Sequence, residues 1–320
     1  MAADENNRRQ PHLITLILAA VGALALVAVV LFIGLVVVLA SAISGGHTTS
    51  ASVLKPASGK YVAGIRLHGE VNSDLADEVV DLIEEASRDT DVAGVLLDVN
   101  SPGGSVVASQ EIYDTVARKR ETLPVVAYVR EMAASGAYYS IASASKIVAN
   151  RGSMVGSIGV ILSTVETTEL MKWAKLKPIT MKTGSLKDAG SPVREWTEAD
   201  KTYLQTLIED TRKVFASDVV SMRKLTPEAE KRMADGRVVL GAEAVELKLV
   251  DVVGSKDDAL QAAAGLAGIK EKPELIYIEP KKNFKMFLRE MLEEEAIAKE
   301  LRGLLSKIVS SNETVSIQAR

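Results

Sequence analysis

The chain has 320 residues, 47% of them hydrophobic, with a formal net charge of −4. That balance offers no basic footprint for a nucleic-acid groove. There is no cysteine and only His12, His47 and His68, so disulfides, thiolate metal sites and cysteine nucleophiles are excluded, and a histidine triad or zinc cluster is disfavoured.

From Leu13 to Ile43 the chain carries no charge. About 30 such residues make a helix of roughly 45 Å, longer than the hydrocarbon core requires. A secretory signal has a much shorter apolar region, so residues 13–43 read as a retained transmembrane anchor despite the cleavage-like "LASA". Arg8 and Arg9 precede the span, and the first basic residue after it is Lys55. The positive-inside rule then puts residues 1–12 in the cytoplasm and the rest outside. Residues 44–59, "SGGHTTSASVLKPASG", are a small, polar linker.

Residues 60–270 read as one α/β domain. "YVAGIRLHGEV" has strand character, and "SDLADEVVDLIEEASR" follows as a helix with Ser73 as its N-cap. "VAGVLLDVN" is a buried strand, "VVASQEIYDTVARKR" a helix, "LPVVAYV" a strand, "ASGAYYSIASAS" a helix and "KIVAN" a strand. This alternation predicts a mainly parallel sheet, with ligand sites at the carboxyl ends of its strands. A long amphipathic helix covers Glu198 to Lys224, followed by a short helix, a turn at Asp235-Gly236 and another helix. Residues 271–320 form an extension ending in a charged amphipathic helix, suited to packing on its own domain, to oligomer contacts or to the membrane surface.

Two strand-to-helix junctions can carry chemistry. "NSPGGSV" follows the buried strand, and backbone N–H groups at such a turn can bind an anion or a developing oxyanion. "EMAASGAYYS" places Ser135 at the end of the next strand, where it either caps the helix or presents a nucleophilic hydroxyl. Together they suggest two oxyanion donors, Gly103 and Gly136. With histidine so scarce, a serine nucleophile needs a carboxylate or a lysine as base. A lysine serves only when neutral, and lowering it from about 10.4 to about 7 takes about 4 kcal/mol of burial away from counter-charge. Lys182 and Lys187 lie among small residues in "MKTGSLKDAGSP", and composition does not choose between them.

The ordered motifs "DVNSPGGSV", "MAASGAYY", "GSMVGSIGV", "MKTGSLKDAGSPVRE" and "MADGRVVLGAEAVELKLVD", after an N-terminal anchor, resemble the bacterial signal peptide peptidase A family, in its short membrane-anchored form related to protease IV. The resemblance covers Tyr61 to Gly254. It implies a ClpP/crotonase-like superhelical α/β fold, Ser135 as nucleophile, Lys187 as general base, a hydroxyl from Ser157 holding that lysine, and Gly103 and Gly136 as oxyanion donors. It further implies ring-like homo-oligomers, with sites shared between neighbouring subunits in some members, and no metal or organic cofactor. Ser105 replaces a frequent third glycine, and Ala137 a second glycine after the serine, which touches subsite shape more than activity. The expected function is a membrane-anchored serine endopeptidase acting on cleaved signal peptides and other extended apolar peptides, with no nucleic-acid partner. A non-catalytic scaffold of the same fold and a crotonase-type acyl-CoA enzyme are the alternatives.

Overall fold

A computed structural model describes residues 59–270 and 273–280. The expected anchor, the linker before residue 59 and the charged C-terminal helix lie outside the described residues. Among those described, no helix is long and apolar enough to cross a membrane.

Strand β1 (Tyr61–Val71) is buried through Ile65 and then alternates, with Leu67 inward and Arg66 and His68 outward. Helix α1 (Ser73–Arg88) buries the stripe Ala76, Val79, Leu82, Ile83 and Ala86. Its cap is not Ser73 but Asn72, whose side chain accepts from Leu75 N at 2.9 Å. The cap must have extended backbone, and Asn72 has it while Ser73 is already helical.

Strand β2 (Val92–Gly104) pairs parallel with β1, and helix α2 (Val106–Lys119) follows, capped by Ser105. The expected turn at Pro102-Gly103-Gly104 is instead the end of β2. The strand continues beside β1 through a bulge, with Val71 opposite Gly104.

Strand β3 (Val125–Ala134) organises the domain. Its near edge pairs with β2. Its far edge pairs first with β4 (Lys146–Ala149), through Val126 to Val129, and then with β5 (Met154–Gly156), through Met132 to Ala134. The sheet therefore divides along β3, and its carboxyl-terminal third belongs to a second set of strands. The helix after β3 is only α3 (Gly136–Ile141).

Next come α4 (Thr168–Trp173), α5 (Glu198–Arg223), α6 (Pro227–Met233), β6 (Val238–Leu240), α7 (Gly241–Glu246), β7 (Val252–Val253), α8 (Lys256–Leu266) and β8 (Leu275–Tyr277). The sheet order is β6-β5-β3-β2-β1-β8, parallel except for β5 with β6, and β7 pairs with β4. Strand β8 lies in the extension expected from residue 271 and extends the sheet beyond β1.

Parallel sheets need cover on both faces. On one face α1, α2 and α3 enclose Ile65, Leu67, Leu97 and Ile112, and Phe215 of α5 stacks on Tyr139 with centroids 4.6 Å apart. On the other, Ala259, Leu260 and Ala263 of α8 cover Val62, Leu96, Val126 and Val148. From Ile161 to Leu186 the chain leaves this core as an arm with no buried residue. Its apolar side chains are open: Ile179 is 84% exposed and Met181 95%.

Candidate active site

Ser135 stands at the carboxyl end of β3 with φ +53° and ψ −126°. An L-residue rarely holds a positive φ, and doing so costs about 1–3 kcal/mol. The backbone is pinned from both sides. Ser135 N donates to Gly156 O (2.8 Å), and Tyr139 N donates to Ser135 O (3.0 Å). The side chain makes no capping hydrogen bond, so the helix-cap alternative does not describe it. Its partly exposed hydroxyl sits at a sharp strand-to-helix turn, before a run of buried residues from Gly136 to Ile141.

The serine itself makes the turn; Gly136 has no positive φ. Gly136 is small for another reason: a Cβ there would lie 2.3 Å from Ser109 Oγ. Gly103 has φ +100°, and a Cβ on it would lie 2.7 Å from both Ala134 O and Gly136 N, and 2.8 Å from Ser135 Cβ. The two junctions therefore touch. Gly136 N opens α3, where N–H groups lack an intrahelical acceptor. Gly103 N already donates to Ser101 Oγ (3.1 Å). The next amide, Gly104 N, lies 3.2 Å from the point where a Gly136 Cβ would be.

Ser157 follows β5. The pairing of β3 with β5 ends at Ala134 opposite Gly156, and Ser135 N donates to Gly156 O (2.8 Å), the carbonyl just before Ser157. Ser157 also has a positive φ (+55°), and its N–H donates to Arg237 O (2.8 Å) in the turn before β6.

The lysines separate clearly. Lys182 Nζ donates to Ser185 O (2.7 Å) and pairs with the Asp188 carboxylate. Lys187 is exposed and makes no hydrogen bond or ion pair among the described residues. No such contact joins it to Ser135 or Ser157, so the structure brings together Ser135, Ser157, Gly103 and Gly136 and leaves Lys187 on the arm.

Sequence reasoning missed three groups. Ser101 and Ser109 bracket the two glycines that end β2, and a buried serine gives no sequence signal. Asp98, fully buried on β2, receives both ends of the Arg130 guanidinium (2.5 and 2.7 Å) and the Tyr277 hydroxyl, with His68 Nε2 3.6 Å away. Burial by itself pushes the Asp98 carboxyl up; the bonds from Arg130 and Tyr277 outweigh it and hold the carboxyl below its usual range. Burial, then Asp98, pushes the Tyr277 hydroxyl up to about 12. The third group, Arg194 with Asp188 and Asp200, is treated below.

Residues 117–270 match the model of peptidase family S49, and residues 60–169 match that of the Clp proteases. A Methanocaldococcus jannaschii protein described as a protease is 40% identical over 62% of this chain and 63% of its own. A Synechocystis protein, also described as a protease, is 37% identical over 71% of this chain and 82% of its own. Protease 4 of Salmonella typhi is 35% identical over 67% of this chain but only 34% of its own length. Fold and relatives together define a serine-type peptidase of the ClpP-like α/β class. Within that class the chain belongs to peptidase family S49, with the signal peptide peptidase A and protease 4 proteins.

Proposed function

We propose that this peptidase is a serine–lysine endopeptidase anchored in the membrane by residues 13–43, with its amino terminus in the cytoplasm and its catalytic domain outside. The observation that carries the catalytic reading is Ser135: a strained, uncapped serine packed against Gly103 at the end of β2 and followed by the first amide of α3. Its Oγ attacks the peptide carbonyl carbon as its proton passes to neutral Lys187 Nζ. The carbonyl oxygen, now anionic, is held by Gly136 N–H and a second amide. Gly103 was the expected second donor, but its N–H is engaged by Ser101 Oγ, which favours Gly104. One such donor is worth about 3–4 kcal/mol. Protonated Lys187 then returns the proton to the leaving amine, and water hydrolyses the acyl-enzyme by the same route. The Ser157 hydroxyl, which follows the carbonyl that Ser135 N–H engages, orients the lysine.

Lys187 is exposed in the single chain, whereas a neutral lysine needs a water-poor setting. Packing of the apolar arm against a neighbouring copy supplies it, in keeping with a ring-like homo-oligomer. The substrates are extended apolar peptides, cleaved signal peptides among them, and an anchor keeps the site near the membrane that releases them.

The test is intact mass of the full chain in detergent after a fluorophosphonate probe, for wild type, Ser135→Ala and Lys187→Ala. We expect an adduct on wild type only. No adduct on folded wild type would replace this reading with a non-catalytic scaffold.

A further inference from the structure

The arm that carries Lys187 buries nothing from Ile161 to Leu186, and α4 within it has no buried residue. What holds the lysine's loop in place is polar and centred on Arg194. Its Nε and Nη2 donate to the two carboxylate oxygens of Asp188 (3.0 and 2.8 Å). Its Nη1 and Nη2 donate to those of Asp200 (2.6 and 3.0 Å). Further bonds reach Asp188 O (3.1 Å) and Glu195 O (2.9 Å). Asp200 is itself tied down: it is 1% exposed and closes the capping box of α5 with Thr197. Asp188, the residue after Lys187, also receives Lys182. Two carboxylates and two cations thus balance beside the proposed base, and Lys187 is left out of the cluster.

Resting on the serine–lysine reading above, we propose that Arg194 is a positioning residue for catalysis. By clamping Asp188 to Asp200 it fixes the Lys187 loop on the first turn of α5 and keeps the adjacent carboxylate from pairing with Lys187. The planar guanidinium can grip two carboxylates at once, which an ammonium cannot. Its hydrogen bonds hold both Asp188 and Asp200 well below the usual carboxylate range. Both therefore stay ionised wherever the enzyme works, and the clamp does not titrate there. Of the other charges on the arm and the start of α5, Lys172 pairs with Glu169 and Glu195, and Lys201 with Glu198, while Lys175 and Lys177 are exposed with no ion pair among the described residues. Glu166, also on that side, accepts from Thr168 N.

The experiment measures the second-order rate of fluorophosphonate acylation of the full chain in detergent, from about pH 6 to about pH 10. The variants are Arg194→Met, Arg194→Lys, Arg194→Met with Asp188→Asn, and Lys187→Ala. Without Arg194, Asp188 keeps only Lys182, and its second oxygen can pair with Lys187. Arg194→Met should then lose on the order of tenfold at neutral pH, with the acid limb of the profile moved up by about one unit. Removing the freed carboxylate as well should bring the limb back while the plateau rate stays low, which loss of structure alone would not do. If Arg194→Met does not fold, Arg194→Lys keeps the charge but not the two-sided grip and should show the same shift in weaker form. A folded variant with wild-type rate and limb overturns the proposal, as does a shift that persists in the double variant. If Lys187→Ala acylates normally, the serine–lysine reading itself fails; if it is inert while Arg194→Met matches wild type, only the role of Arg194 fails.

Discussion

Ser135 has φ +53°, a conformation that glycine adopts without penalty. Ser135→Gly should therefore be more stable than Ser135→Ala, by about 1 kcal/mol or a melting temperature about 2–4 °C higher, although the proposed mechanism makes both inactive. Equal melting temperatures would mean that the turn stores no strain. The junction itself was legible: an apolar strand, a serine, a glycine and a run of small residues. The left-handed turn was not, because serine carries no preference for it and only the bonds from Ser135 N to Gly156 O and from Tyr139 N to Ser135 O impose it. The same limit applies to Gly103. Its residue type allowed a donor role, but whether its N–H is free depends on where Ser101 Oγ lies.

Among the elements, the long ones were readable and the short ones were not. β1, β2, α1, α2 and most of α5 show their period over ten or more residues. β5, β6, β7 and β8 have two or three residues each and exist only because neighbours offer an edge. β3 runs on through Arg130 and Glu131, a polar pair that looks like a strand end, because Arg130 folds over to Asp98. That same carboxylate ties β8 to the sheet through Tyr277, and Gly64 makes room for the ring, since a Cβ there would lie 2.9 Å from it. The Asp98 carboxyl is held below its unfolded value, so its stabilisation is fully present above about pH 5 and is lost as pH falls through the folded value. Asp98→Asn should cost about 2 kcal/mol at neutral pH, less than a fully buried pair because Arg130 can regain water. It should also flatten the stability loss between about pH 5 and pH 2 in urea titrations. An unchanged acid limb would place that sensitivity at other carboxylates.

At the scale of the whole molecule, the exposed arm is the feature that a single chain leaves unfinished. Trp173 is 82% exposed, and Ile161 and Leu176 on the same arm are open as well. Large apolar side chains left open on one segment suit an interface. In the proposed homo-oligomer, Trp173→Glu should dissociate the subunits in analytical ultracentrifugation and lower peptidase activity at least about tenfold, since a buried interface charge without a partner is strongly unfavourable. A variant that keeps its size and activity would separate the arm from assembly.

The amino-acid sequence by itself determined the α/β class, the two strand-to-helix junctions and, through its ordered motifs, the peptidase family. Each of these is written in local patterns: apolar runs of strand length, helical stripes, and glycines next to a serine. Tertiary structure decided what those patterns do in space. It brought Gly103 against Ser135 across a long stretch of chain and tied Ser135 N to the carbonyl just before Ser157. It tied Lys182 to a carboxylate and left Lys187 unpaired. The physical reason is that amide direction, strand register and ion pairing depend on contacts between residues far apart in the chain, and residue type alone fixes none of them.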